Sequence, residues 1–259
     1  MQPESGDSGS ARRNSFVDSL SAFSRQHRAQ HWEGSFNDFL TKVLPGNPTA
    51  LARSSHQYIW DMLRWYGRNA NGNGNGNGED EAARPRELFR RELFGVDEPL
   101  SRVVEYFKAA AAGSDVGRRL LLLLGPPSGG KSTIAILLKR GLEEYSRTEE
   151  GALYAIKGSP MHESPLNLIP ASLRAEFRET YGVDITGELS PWSRERLQRE
   201  YEGDYLRVPV ERVFLAEATR VGIGTYAPHD PTTADIADLV GSVDLSKVAE
   251  VGDEGDPRA

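Results

Sequence analysis

The sequence predicts an α/β domain, a mostly parallel sheet flanked by helices, preceded by a small helical segment. Three observations carry that expectation. Short apolar runs alternate with stretches of helical periodicity from about residue 99 onward. A glycine-rich loop, Gly125 to Thr133, lies between one such run and one such helix. Four consecutive Asn-Gly pairs, Asn71 to Gly78, separate the front of the chain from the rest.

Taken in order, residues 1–15 are small and polar and read as a disordered tail. Residues 16–68 read as helical. Phe16, Leu20 and Phe23, then Phe36, Phe39, Leu40 and Val43, recur at three- and four-residue spacing. Leu44-Pro45-Gly46-Asn47-Pro48 interrupts the pattern, and Ala50 to Tyr66 resumes it through Tyr58, Ile59, Met62 and Trp65. These aromatics are expected to pack together rather than to cage a ligand. A single Asn-Gly pair between alternating apolar residues would signal a hairpin, but four without flanking strands signal a flexible linker, residues 69–83.

Residues 84–259 form the main domain. Pro99 to Ala112 reads as a helix with Leu100, Val103, Val104 and Phe107 on one face. Leu120 to Leu124 is an apolar run of five, expected as a buried strand. Helices follow over Thr133 to Tyr145, Ser172 to Tyr181 and Ser193 to Tyr201, and strands over Leu153 to Ile156 and Val210 to Leu215.

Composition narrows the chemistry. The 259 residues contain no cysteine, which excludes a disulfide scaffold, a thiol nucleophile and thiolate metal sites. No apolar run approaches the ~20 residues of a membrane span, and the N-terminus has no apolar signal region. A cytoplasmic protein without membrane partners is therefore expected. The net charge of −7 is uneven, since residues 228–259 hold 8 acidic and 2 basic groups. No basic stripe suggests a nucleic-acid partner.

The loop GPPSGGKST fits G-x-x-x-x-G-K-[ST] through Gly125, Gly130, Lys131 and Ser132. Its spacing suits a phosphate. Gly125, Pro126, Pro127, Ser128, Gly129 and Gly130 wrap the anion so that successive N–H groups point inward, and the glycines permit close approach. The helix that follows offers its free N–H groups and positive dipole end. Lys131 is expected to reach the β- and γ-phosphates of ATP, Ser132 to ligate Mg²⁺ through its hydroxyl, and Thr133 to close the motif.

Beyond the loop, the run from Leu121 to Pro170 (LLLLGPPSGGKSTIAILLKRGLEEYSRTEEGALYAIKGSPMHESPLNLIP) resembles the AAA+ domain of the PrkA family of serine protein kinases. So do Val208 to Glu250 and the opening His31-Trp32-Glu33-Gly34-Ser35-Phe36. The resemblance implies a P-loop NTPase fold of AAA+ type and a cytoplasmic, ATP-dependent serine kinase acting on a protein substrate; some members are described as ATP-dependent proteases. It also implies ring-like homo-oligomers. The turn Phe94-Gly95-Val96 stands where AAA+ proteins contact adenine. Many relatives carry cysteines in the stretches corresponding to Lys157–His162 and to the surroundings of Pro191. Here His162 is the one strong ligand in those stretches, so no zinc is expected.

Catalytic groups are harder to find. Hydrolysis needs an apolar strand ending in an acid, and Val213 to Glu217 offers Glu217 as the candidate. The segment Asp238 to Leu245 resembles one that precedes the acidic strand in chelatase-like AAA+ proteins, so that strand is expected beyond Ala259, leaving the domain incomplete at its C-terminal end. Kinase patterns of His-Arg-Asp and Asp-Phe-Gly type are absent, and Ser15, Ser19 and Ser21 form no nucleophile elbow. His27, His31, His56, His162 and His229 are scattered. Two other readings stand beside the kinase module: an interaction module that binds ATP without turnover, and a small-molecule kinase.

Overall fold

Two apolar cores organise the described residues. The computed structural model describes residues 16–22, 31–69, 84–90, 92–226 and 245–252. In chain order its elements are strand β1 (Glu33–Ser35), helix α1 (Ser55–Asn69), helix α2 (Asp97–Ala111), helix α3 (Lys131–Ser146), strand β2 (Leu153–Ile156), helix α4 (Arg174–Tyr181), helix α5 (Pro191–Tyr201), strand β3 (Pro209–Val213) and helix α6 (Leu245–Val251). Residues 16–22 are also helical.

The first core lies between α1, α2 and α3. Tyr58, Met62, Leu63 and Tyr66 share one face of α1, and Leu100, Val103, Val104 and Phe107 share one face of α2. Ile134, Leu137 and Tyr145 complete it from α3. Gly141 lets that helix approach: a Cβ there would stand 2.9 Å from Met62 Sδ and 3.2 Å from Leu88 Cδ2. Burying Met62 and Leu63 contributes about 1.5–3 kcal/mol each.

The second core joins the sheet to α4 and α5 through Phe36, Phe39, Ile156, Leu168, Phe177, Leu197 and Val210, among others. Both cores draw on residues 31–69 as well as on the chain after residue 84. The Asn-Gly tract and most of the expected 69–83 linker lie outside the described residues.

The sheet corrects the expectation of parallel strands. Its order is β1-β3-β2, and both pairings are antiparallel, with Glu33 opposite Glu211 and Leu153 opposite Val213. Alternation of strands and helices implies parallel pairing only when each helix crosses back over one sheet. Between β2 and β3, α4 and α5 instead build a core of their own, and the chain re-enters from the opposite end. β1 also interrupts the stretch read as helical. Its N- and C-terminal flanks are tied to β3, with Arg212 donating from its N–H to the Trp32 carbonyl and Phe36 to the Val208 carbonyl, each at 2.8 Å.

The expected Leu120–Leu124 strand joins no ladder among the described residues. It keeps the burial rhythm of one. Leu120, Leu122 and Leu124 are 90%, 67% and 82% exposed, while Leu121 and Leu123 pack on the first core.

Candidate functional site

α3 begins immediately after the glycine-rich loop. Gly130 precedes it with φ 81°, a left-handed conformation that favours glycine, and no side chain caps the helix. Leu93 reinforces the choice, because its Cδ2 would lie 2.8 Å from a Cβ on residue 130. The Ile134 N–H donates to the Gly130 carbonyl at 2.9 Å, opening the helical ladder. The N–H groups of Lys131, Ser132 and Thr133 stand ahead of that first bond, at the positive end of the helix dipole. Such a terminus seats an anion.

The loop is tightly turned. Ser128 adopts φ 61°, and the Gly129 N–H donates to the Pro126 carbonyl at 3.3 Å, closing a turn. Lys131 Nζ donates to the carbonyls of Gly125 and Pro126 at 2.8 and 2.5 Å. Its ammonium thus lies over the loop, held by neutral acceptors that anionic oxygens outcompete. The Ser132 side chain is exposed on the first turn of α3, where a hydroxyl can reach a cation beside a bound phosphate.

Ser128, Gly129, Gly130, Lys131, Ser132 and Thr133 line one side of a cavity of about 460 Å³, and Glu92, Leu93, Phe94 and Val96 line the other. The structure therefore brings Phe94 and Val96 to the loop, about thirty positions away in sequence. Gly95 turns the chain between them with φ 71°. Gly125, Pro126 and Pro127 form the outer arm of the loop and do not line the cavity. Phe94 is 82% exposed, an aromatic face left open beside the cavity. Sequence reasoning did not single out Glu92, whose carboxylate accepts from Arg140 of α3 at 2.9 Å. The available signal was its place two residues before Phe94.

Glu217 lies elsewhere. Its carboxylate pairs with Lys139, two turns along α3 from Lys131, and accepts from the Thr225 hydroxyl. The hydrogen bond from Lys139 and then that from Thr225 hold its carboxyl below the ordinary glutamate value. Its backbone N–H donates to Glu143 Oε1 at 2.8 Å, so three groups fix it against the side of α3.

The stretches 157–162 and 190–193 do meet, around Glu163. That buried carboxylate accepts from the Ser190 N–H at 2.6 Å, from the Ser190 and Ser159 hydroxyls at 2.8 and 3.2 Å, and from the Ser193 hydroxyl. Ser190 also caps α5, accepting from the Ser193 N–H at 3.2 Å. No group of three or more His, Cys, Asp or Glu among the described residues is placed to hold a metal ion. His31 and His56 pack edge-on against Phe214 and Tyr106, while His27 and His229 lie outside the described residues. No helix of the described residues is long and apolar enough to cross a membrane.

A glycine-rich loop feeding an uncapped helix, with an apolar turn on the same cavity, has the geometry that phosphate-binding loops use. Comparison with known proteins gives the family: residues 34–259 match the PrkA AAA domain, and the chain belongs to that family as an AAA-type ATP-binding module. It is 46% identical over 241 residues to the ATP-dependent protease PrkA of Bacillus subtilis (strain 168), covering 93% of this chain and 36% of that protein. It is 31% identical over 176 residues to the serine/threonine kinase YeaG of Escherichia coli (strain K12), covering 65% of this chain and 26% of the relative. The chain thus spans roughly a third or less of the length of these relatives. No solved structure gives a significant match.

Proposed function

We propose that the chain binds Mg·ATP in the cavity between Ser128–Thr133 and Glu92–Val96 and serves as the nucleotide module of a PrkA-like serine protein kinase. The observation that carries this reading is the convergence of the loop, the uncapped start of α3 and the Leu93–Val96 turn on one cavity. The N–H groups of residues 131–133 bind the phosphates, and Lys131 Nζ exchanges the Gly125 and Pro126 carbonyls for phosphate oxygens. Phe94 and Val96 cover the base, with Gly95 providing the turn. Ser132 holds Mg²⁺ through its hydroxyl, and the cation neutralises charge on the phosphates when bound.

Turnover is a separate matter. Among the described residues Glu92 is the carboxylate on the cavity, and it is paired with Arg140; Glu217 is paired with Lys139. Both pairings favour an alternative in which this chain binds ATP and gates a partner without hydrolysing it. Homo-oligomer formation and a protein substrate belong to that same reading.

Titration calorimetry with Mg·ATP tests the site. Lys131→Ala should weaken binding by at least tenfold, about 1.4 kcal/mol. Equal affinity in the two proteins would remove the loop from the account. Phosphate release measured on the same samples separates a hydrolysing module from a gating one.

A further inference from the structure

A cavity of about 530 Å³ opens beside α1, and charge lines it. Arg53, Arg64, Arg68 and Lys108 face it, with Asp61 and Glu150 as the acids among its described lining residues. Four cations against two carboxylates leave an excess of two positive charges, in a chain whose net charge is −7. The spacing along α1 builds this wall. Tyr58, Met62 and Tyr66 turn to the first core, while Gln57, Asp61, Arg64 and Arg68, three or four residues apart, form the adjacent stripe. Ala111 and Ala112, small residues at the end of α2, leave the space open.

The cations are of two kinds. The Arg53 side chain is 7% exposed and fixed. It donates to the Ala50 carbonyl at 2.7 Å, to Asp61 Oδ2 at 2.9 Å, to the Tyr145 hydroxyl at 3.0 Å and to the Glu150 carbonyl at 3.1 Å. Arg68 pairs with the Glu150 carboxylate. Arg64 and Lys108 are held more loosely. Arg64 Nη1 stands 4.0 Å from Asp61 Oδ1, and Lys108 Nζ stands 3.8 Å from Glu105 Oε1, both beyond hydrogen-bond reach. Asp61 is already committed to Arg53, and Glu105 does not line the cavity. Two exposed cations therefore reach one concave wall, which concentrates their field as scattered surface charges do not. Lys108, in the last turn of α2, also offsets the negative end of that helix.

We propose that this cavity binds a small phosphate ester, with Arg64 and Lys108 closing on its phosphate oxygens over the fixed guanidinium of Arg53. A guanidinium presents its N–H fork to two phosphate oxygens at once, and the excess of two positive charges matches a phosphate monoester dianion. The volume falls in the range of small-molecule sites and exceeds what a phosphate alone fills, so Trp60, Ala111 and Ala112 flank the organic body. This inference stands apart from the nucleotide reading, since no residue lines both cavities.

Phenylglyoxal modification of the full chain, mapped by peptide mass spectrometry, reads the site arginine by arginine, and the glycine-rich loop contains none. The probes are inorganic phosphate and glycerol 3-phosphate, each set against sodium chloride of equal ionic strength. At saturation, modification of Arg64 and Arg68 should slow about fivefold. Arg102 and Arg118, exposed outside the cavity, should be unchanged. Lys108→Ala, a change at an exposed side chain, should raise the half-protecting concentration about fivefold. Lys131→Ala should leave the protection intact, which keeps this outcome separate from the fate of the glycine-rich loop. Equal modification rates with and without both probes overturn the proposal. So does equal protection by succinate, which would reduce the cavity to a general site for dianions, and so does protection undiminished in Lys108→Ala.

Discussion

Lys139 neutralises Glu217 from the helix that follows the glycine-rich loop, and that pairing makes a carboxylate's behaviour measurable. Because the folded-state value of Glu217 is depressed, the pair's stabilising contribution is fully present above the ordinary glutamate value of 4.5. It is lost as the pH falls through the lower folded-state value. Carbon NMR of the Glu217 carboxyl should therefore give a titration midpoint below 4.5. Lys139→Ala should move that midpoint upward. A midpoint indifferent to the substitution would mean that the ion pair does not form in solution. The sequence could suggest Glu217 only as an acid at the end of an apolar run. Its pairing with Lys139 joins residues 78 positions apart, which no local pattern reports.

At the scale of elements, Glu163 ties the chain after β2 to the start of α5. Its carboxylate collects three serine hydroxyls and one backbone N–H, so truncation strands several buried donors at once. Glu163→Ala should cost about 2–4 kcal/mol of unfolding free energy. Glu163→Gln, which keeps an acceptor, should cost less. Chemical denaturation checks both, and an alanine variant of unchanged midpoint would contradict the arrangement. Elements with local signals were legible in advance. α2 and α3 follow their 3.6-residue periodicity, and α3 in addition follows its glycine-rich start. β2 was expected at the residues it occupies, Leu153–Ile156. β1 was not legible, because Glu33-Gly34-Ser35 has no alternating apolar pattern and is held by pairing to β3 far along the chain.

At the scale of the molecule, the loop and its helix could be read from one stretch of nine residues, while the Phe94–Val96 turn was pointed to only by the family resemblance and lines the same cavity. The direction of the strands could not be read. Strand pairing is a long-range property, and the helices between β2 and β3 build a second core rather than crossing a shared sheet. The two cores also explain why residues 31–69 matter to the module: α1 packs on α2 and α3, while β1 and Phe36 complete the second core. The family match, which begins at residue 34, covers the same stretch.

Amide hydrogen exchange with and without Mg·ATP tests the central claim, that one cavity built from loop, helix start and facing turn takes the nucleotide. The account predicts slowed exchange at residues 128–133 together with 92–96, and unchanged exchange around Glu163. Protection confined to other regions, or none at saturating nucleotide, would contradict it.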